Sequence, residues 1–137
     1  MRHLVRHIIR FADIDAAGIC FFPRIYEHLH DAFEDFFDTG AGVPYAKVIA
    51  EERIGFPVVK IDTEFTAPMR HGDCVDVEIS VAAIGTKSFT CRYRLLRGKE
   101  LCVTAHVKTA VIDLSQMRSV ALPAHHRKFL SAYLDEA

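Results

Sequence analysis

Two aspartates separated by a single residue, Asp13 and Asp15, precede a glycine, Gly18, and the aromatic pair Phe21-Phe22. A carboxylate in such a place can attack an electrophilic carbonyl or deprotonate a water that attacks it. The next stretch of chain makes the spacing chemically useful. From Phe22 the apolar residues fall at Phe22, Ile25, Tyr26, Leu29, Phe33, Phe36 and Phe37, the three-and-four spacing of a helix with one buried face. Pro23 suits the first turn, where a missing N–H costs nothing. The first N–H groups of a helix lack intrahelical acceptors and sit at the positive end of its dipole. A carboxylate a few residues upstream therefore stands beside a ready site for an oxyanion. Each aspartate also has a plainer role open to it, as an N-cap or Asx-turn residue. On spacing alone both roles stay open at Asp15, while Asp13 reads as a cap or a hydrogen-bonding partner within the turn.

The elements that must hold these groups can be read from the pattern. Residues 4 to 11 predict a first strand, and residues 22 to 37 the long helix. The stretch DTGAGVP, from Asp38 to Pro44, breaks that helix. Residues 45 to 52 predict a short second helix, ended by Gly55 and Pro57. Four β-rich runs come next, over 58–66, 74–82, 88–96 and 101–112. Their connections are Pro68 to Asp73, Gly85-Thr86-Lys87 and Arg97-Gly98-Lys99. Connections so short join antiparallel neighbours, which predicts a meander in sequence order. Residues 123 to 134 predict a terminal helix, with Phe129, Leu130, Tyr133 and Leu134 on one side. The sum is one α+β domain over residues 1–137, its sheet curled around the long helix. The free edges of such a sheet call for a partner copy.

Composition bounds the function. The chain has 137 residues, 50% of them hydrophobic, enough for one domain with a core. A formal net charge of −1 gives no general affinity for nucleic acid or an anionic membrane, and no apolar run reaches the ~20 residues of a bilayer span. Cys20, Cys74, Cys91 and Cys102 show neither CxxC nor zinc-ligand spacing, so we expect four buried thiols in a reducing cytoplasm. No metal is implied: Asp13, Asp15, His28 and His30 do not share a face, since residues i and i+2 of a helix point apart. The run His125-His126-Arg127-Lys128 reads as a solvated start to the last helix. Arg92 and Arg94 share one strand face, serving either a phosphate site or a solvent-facing strand.

Over roughly Arg6 to Leu122 the sequence resembles the hotdog-fold acyl-CoA thioesterases of the 4-hydroxybenzoyl-CoA thioesterase type. The resemblance is strongest in Asp13 to Pro23, which is similar to the family's D-x-D-x-x-G-x-x-aromatic signature. Gly55-Phe56-Pro57-Val58-Val59, His71-Gly72-Asp73 and Lys87-Ser88-Phe89 come after it in the family's order. The resemblance implies a hotdog fold, an antiparallel sheet of about five strands wrapped around a long central helix. It makes Asp15 the catalytic carboxylate, Gly18 the glycine of the strand-to-helix turn, and the Phe22 backbone amide the donor to the thioester carbonyl. It places Lys87 and Ser88 in the loop that holds coenzyme A phosphates, with His30 and Phe56 bordering the acyl group. It also implies a homodimer or homotetramer with active sites between subunits, and no cofactor, coenzyme A being part of the substrate.

The expected activity is hydrolysis of an aromatic or short-chain acyl-CoA in the cytoplasm, Asp15 acting as nucleophile or general base. The chain departs from its relatives at two places. Gly85 and Thr86 stand where the family's better-known member has two basic residues, and His30 stands where relatives often carry an acid. The first departure gives weight to an alternative carrier, acyl-carrier protein, whose pantetheine arm has no nucleotide. A hotdog domain that only binds an acyl thioester is the third reading. Asp15 argues against it, because a pure binder needs no carboxylate beside an electrophilic carbonyl.

Overall fold

The computed structural model describes residues 1–135. Strand β1 (His3–Ile8) turns His3, Val5 and His7 inward and Leu4, Arg6 and Ile8 outward, the two-residue alternation of a half-buried strand. It stops three residues short of the expected Phe11. The Asp13 carboxylate accepts the Arg10 amide at 2.9 Å and draws the chain into a 3₁₀ turn, Phe11–Asp13.

Helix α1 (Phe22–Asp35) buries Ile25, Leu29, Ala32 and Phe33. The expected break at Asp38 does not occur. The helix widens instead into a π-helical turn, Phe36–Ala41, and ends at Gly42, whose φ of 70° is left-handed. Phe36 and Phe37, in this turn, are both fully buried. Phe36 packs on Phe129 and Tyr133, and Phe37 on Tyr45 and Phe56. The Asp38 side chain then accepts the Tyr45 amide at 2.7 Å, at the start of α2 (Tyr45–Ala50).

After β2 (Ile54–Gly55) come β3 (Val58–Phe65), β4 (Cys74–Ile84), β5 (Ser88–Arg97) and β6 (Glu100–Ala110). The main sheet has the order β1-β4-β5-β6-β3, every pair antiparallel. This corrects the simple meander: β3 pairs with β6, not with β4. The chain between β3 and β4 crosses the end of the sheet, a span of three inter-strand steps or about 15 Å, which its eight residues reach easily. It is tied down on the way, for Thr66 and Ala67 donate to the Cys102 carbonyl and Cys20 donates to the Met69 carbonyl. A second small sheet, β2 with β7 (Ile112–Asp113) and β8 (Arg118–Ser119), was not legible in the sequence.

The sheet's inner face, with Val77, Ile79, Tyr93, Leu95 and Ala105 buried, curls around α1. Its outer face is polar, and there Arg94 pairs with Glu78 at 3.1 Å. Of the four thiols, Cys20, Cys91 and Cys102 are buried, but Cys74 opens β4 exposed. Helix α3 (Ala124–Ser131) corrects another expectation: His126 is only 1% exposed, held against Phe37 and Phe56.

Candidate active site

Residues 13 to 21 form a miniature hairpin. Phe21 donates to the Asp13 carbonyl at 2.7 Å, Ile14 bridges Cys20, and Asp15 donates to the Ile19 carbonyl at 3.1 Å. Asp15 and Gly18 close its tip, where Gly18 donates to the Asp15 carbonyl at 3.0 Å. A side chain at Gly18 would meet nothing within 4 Å, but its φ of 78° is the left-handed region that glycine enters freely. The requirement for glycine is conformational. Ile19 bridges Arg70, which anchors the hairpin to the segment leading into β4.

The hairpin sets Asp15 beside the first turn of α1. One carboxylate oxygen accepts the Ala17 amide at 2.9 Å; this is the Asx turn, and it fixes the side chain through that oxygen. Among the first-turn donors, Pro23 has no N–H and Arg24 donates to the Phe21 carbonyl at 2.9 Å. The Phe22 amide, at the first helical position, has no intrahelical acceptor. Asp15 and Phe22 line one open cleft of about 390 Å³, with Phe65, Thr66, Pro68 and Met69 across from them. Cys20 also lines it, and burial pushes its thiol up to about 11. At neutral pH Cys20 is therefore a protonated thiol, a poor nucleophile; the other acidic side chain lining the cleft is Asp15.

Asp13 faces the other way. It is 8% exposed and accepts both the Arg10 amide and His28 Nε2, the latter at 3.0 Å. Burial alone would raise its carboxyl, but the hydrogen bonds from the Arg10 amide and His28 outweigh it and hold it below the usual range. His28 Nδ1 in turn lies 2.9 Å from His7 Nδ1 on β1. With His28 neutral, its Nε2–H donates to Asp13, so its Nδ1 accepts the His7 Nδ1–H. Sequence reasoning missed this chain, although the alternation of β1 already turns His7 toward the helix.

Burial, and then the neighbouring His28, hold His7 below the ordinary imidazole value of 6.5. The unfolded chain therefore takes up a proton there at higher pH than the folded one. Stability should fall as pH drops through about 6.5, by up to about 1.4 kcal/mol per pH unit, and level off below the folded value. Melting temperatures measured between about pH 7.5 and 5 should decline in the native protein. They should decline less in His7→Asn; an equal decline in both would assign the effect elsewhere.

His30 and Phe56 line a second cavity of about 160 Å³, with Phe33 and Ile61 among its walls. Phe22, Tyr26 and His30 recur every four residues along one stripe of α1, and β3 runs beside them from Phe65 to Val58. Cleft and cavity thus follow one another along the seam between α1 and β3, and between them the Tyr26 hydroxyl donates to Thr63 Oγ1 at 3.0 Å. Lys87 and Ser88 line neither. They lie at the far end of β4, whose 11 residues span about 35 Å, so one chain does not bring them to Asp15.

Five antiparallel strands curled around one long helix, with this cleft at the helix N-terminus, define a hotdog-fold protein. The chain belongs to the thioesterase-like superfamily, whose profile matches residues 9–130. It is 23% identical to the 1,4-dihydroxy-2-naphthoyl-CoA hydrolase of Prochlorococcus marinus (strain MIT 9303), over 94% of this chain and 89% of that one. A solved gentisyl-coenzyme A thioesterase superposes with a TM-score of 0.83 at 27% identity, over 91% of this chain and 99% of that chain. A 1,4-dihydroxy-2-naphthoyl-CoA thioesterase from Synechocystis has the same fold, with a TM-score of 0.85 at 20% identity over 96% of each chain. Among the described residues, no helix is long and apolar enough to cross a membrane.

Proposed function

We propose that the protein is a cytoplasmic acyl-CoA thioesterase that hydrolyses an aromatic acyl-CoA, with short acyl groups as the next substrate class. The observation that carries this is the shared cleft, with the Asp15 carboxylate and the helix-terminal Phe22 amide on one wall. The thioester carbonyl oxygen accepts from the Phe22 amide, which faces the negative charge that develops there. One such donor is worth about 2.7–4 kcal/mol in other hydrolases. Asp15 either attacks the carbonyl carbon, giving a mixed anhydride that water opens, or takes the proton of a water that attacks. Both routes release the free acid and coenzyme A thiol. Relatives named for naphthoyl and gentisyl thioesters support the aromatic acyl group, and the aromatic side chains Phe22 in the cleft and Tyr26 and Phe56 in the neighbouring cavity suit it.

The separation of Lys87 from Asp15 points to a site shared between subunits, with Asp15 of one chain working with Lys87 of the partner subunit. The turn at Lys87 is also less poor in charge than its sequence suggests. Arg127 reaches across from α3 and donates to the Gly85 carbonyl at 2.8 Å, bringing a second cation to the loop where Gly85 and Thr86 supply none. That favours a nucleotide phosphate as ligand, and so coenzyme A over acyl-carrier protein.

The test is a kinetic comparison of aromatic and short-chain acyl-CoA with the matching pantetheine and acyl-carrier-protein thioesters. Lys87→Ala should raise KM for the CoA thioester several-fold with kcat little changed. A rim phosphate contact binds ground and transition states alike and is worth about 1 kcal/mol. The effect should shrink with salt and vanish with the pantetheine thioester. Preference of the native protein for the pantetheine or carrier-protein thioester, with Lys87→Ala unchanged on CoA, would give the reaction to the other carrier.

A further inference from the structure

His125 and His126, adjacent at the start of α3, both place Nε2 on one oxygen of Glu52, at 2.9 and 2.8 Å. Glu52 lies just beyond α2, far back in the sequence, so the fold and not local spacing brings the three together. Their two imidazole nitrogens and one carboxylate oxygen all lie within 4.8 Å of one another. We propose that Glu52, His125 and His126 bind one divalent transition-metal ion of the zinc class, at a site separate from the hydrolytic cleft.

The donor set selects the kind of ion. Imidazole nitrogen with a single carboxylate oxygen suits zinc and its neighbours, whereas magnesium and calcium take oxygen cages. The geometry needs only a small adjustment. Bonds of about 2.0–2.1 Å in a tetrahedral site hold neighbouring ligand atoms about 3.4 Å apart. Each N···O separation must therefore open by about half an ångström, and Glu52 can supply it because its side chain is 27% exposed. In the metal-free form both Nε2–H groups donate to the carboxylate. On binding, each nitrogen presents its lone pair and its proton moves to Nδ1, so neutral imidazoles release no net proton.

Burial grades the three ligands in a useful way. His126 is buried against the Phe37 and Phe56 rings, with centroids 5.7 and 5.9 Å away, and gives the ion a rigid anchor. The His125 side chain, 55% exposed, leaves the site open to solvent on one side. That opening leaves a fourth position for water, as in open three-ligand zinc sites. An ion there would clamp the end of α2 to α3 behind Phe56 and stabilise the folded chain by mass action.

The test needs no substrate, so it stands or falls apart from the thioesterase reading. Full-length protein, stripped with a chelator and dialysed, is titrated with zinc chloride in a calorimeter and melted at increasing zinc. One ion per chain at micromolar affinity or tighter is expected, with a Tm that rises with zinc. His125→Ala, an exposed change that leaves the packing of α3 alone, should weaken binding roughly tenfold or more and remove the rise in Tm. Glu52→Gln should do the same. His106→Ala, on the outer face of the sheet, should change neither. The proposal is overturned if the stripped protein takes up no zinc at about 1 mM ion. It is equally overturned if His125→Ala and Glu52→Gln bind as the native protein does, or if His106→Ala weakens binding as much as they do.

Discussion

Asp15→Asn is expected to lower kcat by roughly 10²–10⁴-fold, the range for removing a positioned acid–base group, while the melting temperature and substrate binding stay close to native. The amide keeps the volume of the carboxylate and can still accept the Ala17 amide that fixes the turn, so the hairpin survives and only the ionised oxygen is lost. Asp13→Asn should behave in the opposite manner. Its carboxylate is buried and joined to Arg10 and His28, so its loss should appear chiefly as a lower Tm, with activity reduced far less. Single-turnover kinetics and thermal melts on both variants separate the two roles. If the variants lose activity equally, or Asp13→Asn loses more, the assignment within the pair is wrong.

The second large effect is expected at β3. Among the described residues its only partner strand is β6. Ile61, Thr63 and Phe65 turn toward the helix side while Lys60, Asp62 and Glu64 turn outward, as their partners on β6 show. Ile61 and Phe65 are 41% and 51% exposed in the single chain, and Val59, at the strand's irregularity, is 58% exposed. An apolar unpaired edge is a template for another strand. Pairing with a second copy should make the protein a dimer at least. Val59→Glu with Ile61→Glu places like charges on both sides of that contact. The double variant should sediment as a monomer at micromolar concentration and lose most of its turnover, both because the proposed site needs both subunits and because Ile61 is a wall of the second cavity; Val59→Glu, outside that wall, should lower turnover in proportion to the dimer it dissociates. Retention of native activity by a monomer would refute the shared-site reading.

Local pattern made the elements legible. The spacing of Phe22, Ile25 and Leu29 marks α1, the alternations mark β4, β5 and β6, and the turn residues mark their hairpins. Pairing was another matter. A short connection argues for neighbours, but it cannot show that the crossing at Pro68 is carried by hydrogen bonds to Cys102 and from Cys20. The π turn escaped because glycines at 40 and 42 read as breakers, whereas the helix runs on to Ala41 before Gly42 ends it. In the site, the family resemblance around Asp13 to Pro23 pointed to Asp15, Gly18 and the Phe22 amide; the hairpin carries the first two and leads into α1 at the third. Contacts made only by the folded chain, from His28 to Asp13 or from Glu52 to His126, left no local trace, because their members come from separate elements.

The strand order also has a consequence for synthesis. The hairpins β4–β5 and β5–β6 close short loops and can form as soon as they emerge. Strand β3 cannot, for its partner strand β6 is made last of the main sheet. At ribosomal rates of about 5–20 residues per second, β3 waits some seconds with Val58, Val59, Ile61 and Phe65 uncovered. The charges at Lys60, Asp62 and Glu64 interrupt that stretch in the manner of gatekeepers. Replacing them with apolar residues should cost yield during expression more than it costs the finished fold.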